Sequence, residues 1–306
     1  MNGDHGQPLT RAPLLQTKLY PPRVPRALVD RPRLLDRLGG GAPPAVLLVS
    51  APAGFGKSTL LAQSLLAGTP AVAWLSLDSG DNDPPMFWTY VLAALRTAAP
   101  GVGGSAQVLL ESPGDTPIAT VLTSLLNDLA ASDVDVVLVL DDYHVVHAPE
   151  IHEAMSFLVD HLSPQLRIVI ATRSDPPLPL ARLRSRGELA EVRAADLRFT
   201  EAETAAYFGA MGLRLTDSEV TTLEGRTEGW VAALQLAASP CRGAKTRPGS
   251  SRGSRETTAT SWTTWSRRSC TGSRRRSATS CSGRACSRGC PRRWRTPSRV
   301  GRTAGR

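Results

Sequence analysis

Cysteine is absent from the first 240 residues; all five, Cys241, Cys270, Cys281, Cys286 and Cys290, lie beyond them. That longer piece therefore holds no disulfide framework and no thiolate metal site, as suits a cytoplasmic protein. No run approaches ~20 consecutive apolar residues, the length that crosses a bilayer. The start, Met1-Asn2-Gly3-Asp4-His5-Gly6-Gln7, lacks the apolar core of a secretory signal. Residues 241–306 have no Leu, Ile, Met, Phe or Tyr, one valine (Val300) and one acid (Glu256). Such a segment has no apolar area to offset an ordering entropy of ~1–2 kcal/mol per residue, so it is expected to be disordered. Its cysteines show no paired C-x2-C spacing and no histidine accompanies them, which argues against zinc. The charge divides the same way. Residues 1–240 carry 18 Lys plus Arg against 26 Asp plus Glu, whereas residues 241–306 carry 18 Lys plus Arg against one acid. The net charge of +9 is the sum of two unlike pieces, one acidic and one strongly basic.

What is present is most specific between Ala45 and Thr59. The apolar run Ala45-Val46-Leu47-Leu48-Val49 has the length of a buried parallel strand. It ends in Ser50-Ala51-Pro52-Ala53-Gly54-Phe55-Gly56-Lys57-Ser58-Thr59, and an amphipathic segment with Leu60, Leu61, Leu65 and Leu66 follows. Strand, glycine loop, Lys-Ser and helix make the context of a phosphate-binding loop. Gly54 and Gly56 let the backbone curl so that successive N–H groups face an anion, and the helix adds its positive end. Lys57 is expected to reach the β- and γ-phosphates, and the Ser58 hydroxyl to ligate Mg²⁺. Ala51 stands where the usual pattern has its first glycine. Ala51, Gly54, Phe55, Gly56, Lys57, Ser58 and Thr59 are thus the candidate nucleotide-binding loop, taking ATP or ADP with Mg²⁺.

A second buried strand, Val134 to Asp142, ends in two carboxylates about 85 residues further on. Ligands of open α/β sheets lie beyond the carboxyl ends of the strands. Asp141 is expected to hold Mg²⁺ directly or through water, and Asp142 to orient or deprotonate the attacking water. A third strand, Arg167 to Arg173, ends in Thr172 and Arg173. Arg173 is placed to sense the γ-phosphate through charge-assisted contacts; a surface salt bridge is its alternative role.

Elsewhere, Leu14 to Leu38 is basic and proline-rich and predicts an extended arm entering a short helix at Pro32. Ala71 to Asp78 reads as a strand. Helices are predicted over Pro84 to Ala98, around Ile118 to Leu129, and over Glu150 to Leu162. Strands alternating with helices at this spacing predict an α/β fold, a parallel sheet covered on both faces. After Phe199 the pattern turns all-helical. Thr200-Glu201-Ala202-Glu203 and Thr216-Asp217-Ser218-Glu219 are capping boxes, and a third helix follows Gly229-Trp230, with Val231, Leu234 and Leu236 on its apolar side. The expected organisation is a disordered start (1–13), an N-terminal arm (14–40), a P-loop nucleotide-binding domain (41–199), a small helical lid domain (200–240) and a disordered basic tail (241–306).

Several strings occur in order: Thr17-Lys18-Leu19, Leu28-Val29-x-Arg31-Pro32-Arg33-Leu34-Leu35, the Ala51–Thr59 loop, Trp74-Leu75-Ser76-Leu77-Asp78-x-Gly80-Asp81-Asn82-Asp83-Pro84, Leu140-Asp141-Asp142-Tyr143-His144, Ala171-Thr172-Arg173-x-Asp175-Pro176-Pro177, Leu197-Arg198-Phe199-Thr200 and Thr227-Glu228-Gly229-Trp230. Together, over roughly residues 14–238, the chain resembles the large ATP-binding LuxR-class transcriptional regulators, STAND-type P-loop ATPases typified by the maltose-regulon activator of enteric bacteria. The resemblance implies a signal-transduction switch with slow ATP hydrolysis, closed with ADP and self-associating with ATP and a small-molecule inducer. It places Val29 and Arg31 near the adenine and closes Gly229-Trp230 over it from the lid. In that family an inducer-sensing helical superhelix and a DNA-binding helix-turn-helix follow; the chain is expected to stop before both, with DNA reached only through the missing domain and no membrane contact.

Two readings of the basic tail stand. One is a nucleic-acid arm on a P-loop ATPase, with arginines on phosphates and Trp262, Trp265 and Trp294 for stacking. The other is a frameshift product. Trp is always TGG and Thr always begins AC, so reading from each third base turns Trp262-Thr263 into Asp and Thr264-Trp265 into Leu, Val or Met. With GC-rich wobble bases, Arg255 to Gly272 then permits Gly-Asp-Asp-Arg-Tyr-Val-Val-Asp-Tyr-Leu-Val-Glu-Glu-Val-Leu-His, an amphipathic helix sequence. The shift would begin near Ser239. The nucleotide sequence tests it: an open shifted frame continuing into helical sequence is expected, and a stop codon within the tail ends the idea.

Overall fold

The computed structural model describes residues 13–25, 28–39, 44–65, 70–112, 114 and 116–242, without the side chains of 35–37, 39 and 239–242. Expectations for residues 1–12 and for the tail from 243 onward lie outside the described residues.

Five strands form one parallel sheet: β1 (Val46–Ser50), β2 (Ala71–Ser76), β3 (Val136–Asp141), β4 (Leu166–Thr172) and β5 (Leu189–Arg193), in the order β2-β3-β4-β1-β5. β1 and β3 are buried at every position, which is why they read as unbroken apolar runs rather than alternations. β5 was not foreseen. It is an edge strand carrying Glu191 and Arg193, so its sequence lacks the apolar run of a central strand.

Eleven α-helices accompany the sheet among the described residues: α1 (Pro32–Gly39), α2 (Lys57–Leu65), α3 (Pro84–Ala98), α4 (Gly104–Glu111), α5 (Ile118–Ala130), α6 (Pro149–Asp160), α7 (Leu180–Arg186), α8 (Ala194–Leu197), α9 (Glu201–Ala210), α10 (Asp217–Thr227) and α11 (Val231–Arg242). Successive residues of a strand point to opposite faces, so β1 feeds two cores. Val46 and Leu48 join α3, α5 and α6 through residues such as Phe87, Leu122 and Met155. Leu47 and Val49 join α1 and α2 through Leu34, Leu60 and Leu61. α3 begins where the sequence marks it. Pro84 opens the helix and the Asp83 carboxylate accepts from the Met86 N–H at 3.2 Å.

Both capping boxes form. Thr200 and Glu203 exchange bonds of 3.2 and 3.0 Å, and Thr216 and Glu219 do so at 3.4 and 2.8 Å. α4 and α7 were not foreseen, and the predicted apolar side of α11 needs correction. Its buried residues are Leu234, Ala237 and Ala238, whereas Leu236 is 66% exposed. A spacing of two cannot keep Leu234 and Leu236 on one helix face.

The arm is tied down by a buried cation. A 3-10 turn at Gln16–Leu19 carries Lys18, whose ammonium lies 4.5 Å from the centre of the Tyr90 ring. It pairs with Asp81, which is 1% exposed, and with Asp78 at 3.2 Å. Asp81 also accepts the Asp78 N–H at 2.8 Å. Next to it, Asn82 donates to the Val145 carbonyl at 2.8 Å and accepts the His147 N–H at 2.6 Å, fixing the loop after β3. Lys18→Met should leave the Asp81 charge buried without its partner and cost about 3 kcal/mol. Urea denaturation checks this, and Lys18→Met combined with Asp81→Asn should recover part of the loss.

Candidate functional site

Chain order and sheet order together assemble the site. β4 lies between β1 and β3, so the residue after β4 stands between the loop after β1 and the acids that end β3. Gly54 and Gly56 both take φ of +78°, the left-handed region open to glycine. α2 starts at Lys57, whose Nζ donates to the carbonyls of Ala51 at 2.8 Å and Pro52 at 3.2 Å. Burial lowers the Lys57 pKa, Asp142 and Asp141 oppose the shift, and Arg173 adds to it. The Ser58 hydroxyl donates to Asp141 Oδ1 at 2.9 Å, and the Asp142 N–H donates to the same oxygen at 3.0 Å. Burial pushes the Asp141 carboxyl above its ordinary value, against the hydrogen bond from Ser58.

Asp142 leaves the strand in a left-handed conformation, φ 58°. Its carboxylate is half exposed, 3.7 Å from His144 Nδ1. Burial, then the Arg173 charge, hold the His144 imidazole below its usual pKa. Arg173 itself is exposed.

A second set of residues seats the last helix on this loop. Trp230 Nε1 donates to the Ala53 carbonyl at 3.3 Å, and the Ala232 N–H donates to the Gly54 carbonyl at 3.2 Å. A Cβ at Gly54 would come 2.8 Å from Ala232 Cβ, so glycine is required there by approach as well as by φ. The Phe55 and Trp230 rings lie 6.5 Å apart. At Gly229, φ +67°, a Cβ would fall 2.4 Å from the Phe199 carbonyl oxygen, while the Phe199 N–H donates to the Gly229 carbonyl at 2.9 Å.

The hinge between sheet and helices is gripped from the arm. Arg31 donates to the carbonyls of Leu197 and Arg198 at 2.9 Å and to Glu203 at 3.3 Å, with its guanidinium 4.6 Å from the Phe199 ring centre. Arg33 makes a two-pronged pair with Glu203 at 2.9 Å and reaches the Asp196 carbonyl at 2.7 Å.

The candidate residues fall in two neighbouring groups. Ala51, Gly54, Gly56, Lys57, Ser58, Asp141, Asp142 and Arg173 stand at the carboxyl end of the sheet. Val29 and Arg31 line a side pocket with Phe55, Gly56, Thr59 and Phe199. The helix-side wall of that pocket comes from Tyr207, Val231 and Gln235, while the Trp230 indole rests on the loop. Arg33, Glu203 and Gln63 were not singled out as functional from sequence. The signal for the first two was present, in basic residues two apart before a helix and a capping-box glutamate. Among the described residues, no group of three or more His, Cys, Asp or Glu could hold a metal, and no helix is long and apolar enough to cross a membrane.

Asp141 carries a testable cost. A carboxyl whose folded pKa is raised stabilises fully below its unfolded pKa and loses that contribution as pH rises through the folded value. Asp141→Asn keeps an acceptor for Ser58 without a buried charge. It should raise the thermal midpoint of the nucleotide-free chain at neutral pH, and the gain should vanish in acid as the wild-type carboxyl protonates.

No family model matches the chain. It is 40% identical over 243 residues to the serine/threonine-protein kinase PknK of Mycobacterium tuberculosis, across 78% of this chain and 22% of the kinase. It is 35% identical over 230 residues to the HTH-type transcriptional regulator MalT of Cronobacter sakazakii, and 36% identical over 222 residues to that of Vibrio cholerae. The match covers 75% and 71% of this chain and 25% and 24% of those regulators. The chain thus spans about a quarter of the length of these curated relatives. Its fold is that of a STAND protein with a tetratricopeptide repeat sensor from Pyrococcus horikoshii, with a TM-score of 0.52 at 17% identity over 74% of this chain and 31% of that one. Over the matched stretch, with its phosphate loop, parallel sheet and helical cover, the chain is similar in sequence to the MalT-type transcriptional regulators and in fold to a STAND protein.

Proposed function

We propose that residues 41–199 bind ATP or ADP with Mg²⁺, that residues 200–240 act as the lid, and that the two form the nucleotide-controlled switch of a transcriptional regulator. The observation that carries this is the convergence of Lys57, Ser58 and Asp141 over the curled loop. Lys57 spends its ammonium on two loop carbonyls, which phosphate oxygens would outcompete as charged acceptors. Ser58 Oγ and Asp141 Oδ1, 2.9 Å apart, are hard oxygen donors suited to Mg²⁺. That ion commonly takes one or two carboxylates and completes its shell with phosphate oxygens and water, so a pair of protein ligands suffices. Bound there, Mg²⁺ would neutralise β- and γ-phosphate charge. Asp142, half exposed beside this point, orients and deprotonates water, and Arg173 meets the charge that develops on the γ-phosphate.

The lid contacts on Ala53 and Gly54 support a closed form of this switch. In this reading the protein works in the cytoplasm. It self-associates in the ATP form under a small-molecule inducer, and reaches DNA through a helix-turn-helix outside the matched stretch.

Lys57→Ala should weaken ADP and ATP binding by roughly tenfold to a hundredfold in calorimetry, the range of a charged hydrogen bond. An unchanged affinity refutes the loop assignment. Asp142→Asn should leave binding intact and slow hydrolysis on the order of a hundredfold; equal loss of both points to misfolding.

A further inference from the structure

The side pocket beside the phosphate loop holds a polar group that no step above uses. Gln63 sits on α2, six residues after Lys57, and its half-buried side chain lines the pocket together with Val29, Arg31 and Phe199. Its amide nitrogen donates to Asp30 Oδ1 at 3.0 Å and lies 3.5 Å from the Val29 carbonyl oxygen. Both partners are acceptors only, so the amide nitrogen must face them. The amide oxygen is left as the acceptor of this side chain. Reversing the amide would set its oxygen against a carboxylate and a carbonyl at once. A second polar atom of the pocket is also fixed in kind. Arg31 Nε, on a side chain 5% exposed, is a donor buried without a partner.

Purine bases differ on the edge such a pair would read. Adenine offers an amino donor beside a ring-nitrogen acceptor. Guanine offers a carbonyl acceptor beside a ring N–H donor. We infer that Gln63, its amide locked by Asp30, is the residue that selects adenine over guanine nucleotides. Its oxygen accepts from the adenine amino group and opposes the guanine carbonyl, while Arg31 Nε serves a ring acceptor. Asp30 acts as a positioning residue: it never meets the base but forbids the reversed amide. This rests on the nucleotide reading above, with the base in the side pocket.

The test is calorimetry of the full chain with Mg²⁺ and either ADP or GDP. Wild type should prefer ADP, and Gln63→Ala should narrow the ADP-to-GDP ratio about tenfold, chiefly by losing ADP affinity. Asp30→Asn alters an exposed residue and should leave the fold intact. It removes the nearer of the two oxygens that oppose reversal, leaving only the Val29 carbonyl at 3.5 Å, and Asn can donate to the reversed oxygen, so GDP affinity should rise while ADP affinity changes little. An unaltered ratio in Gln63→Ala overturns the inference, and so does an Asp30→Asn variant that gains nothing for GDP. Failure of wild type to bind either nucleotide, with Lys57→Ala also without effect, overturns the nucleotide reading instead.

Discussion

The Lys57 ammonium is withdrawn from water and held by two backbone carbonyls, with no carboxylate in contact among the described residues. Burying a cation this way is unfavourable, and its lowered pKa records that cost. Nearly every other feature at this end of the sheet makes the arrangement tenable or completes it. The left-handed turns at Gly54 and Gly56 lead into Lys57, whose amine reaches back to the Ala51 and Pro52 carbonyls. The end of β3 brings Asp142 and Asp141 near enough to favour the charge without quenching it, and Ser58 occupies the buried one, Asp141. The site is a set of desolvated groups whose electrostatic demands are only partly met within the protein, which is the condition for binding a polyanion with a cation tightly.

The helical segment is joined to this site by two unlike attachments. At the loop, Trp230 and the first turn of α11 meet Ala53 and Gly54 through two neutral hydrogen bonds of 3.3 and 3.2 Å. At the hinge, Arg31 and Arg33 hold Glu203 and the carbonyls of residues 196–198 with charged, multiply bonded contacts. Charged and two-pronged pairs are the stronger kind. The contacts of Arg31 and Arg33 are therefore the stronger of the two attachments and those on the loop the weaker. The same hinge borders the side pocket, since Arg31 and Phe199 belong to both.

Much of this was legible from the chain alone. β1 and β3 announce themselves because burial on both faces demands continuous Val and Leu. The caps of α9 and α10 announce themselves because Thr200 and Thr216 have one favourable use beside an N–H-rich helix end. β5 was missed because an edge strand exposes half its residues, and α7 because its seven residues give too few turns for a periodicity. The phosphate loop was legible since its glycines and lysine follow one another. The Gln63–Asp30 and Arg33–Glu203 relations were not. Each joins residues 33 and 170 positions apart, and no local pattern encodes that.

The strand order has a further consequence, for the making of the protein rather than its working. β1 emerges early from the ribosome, yet its two neighbours are β4 and β5, which end at Thr172 and Arg193. At ~5–20 residues per second, the strand that carries the phosphate loop waits on the order of ten seconds for its first partner. During that interval Val46-Leu47-Leu48-Val49 is an apolar segment with open hydrogen-bonding edges, the kind of sequence that aggregates or recruits a chaperone. The insertion of β4 between the loop and the acids, which brings Arg173 to the carboxyl end of the sheet, thus also leaves β1, of the five strands, waiting longest for a partner.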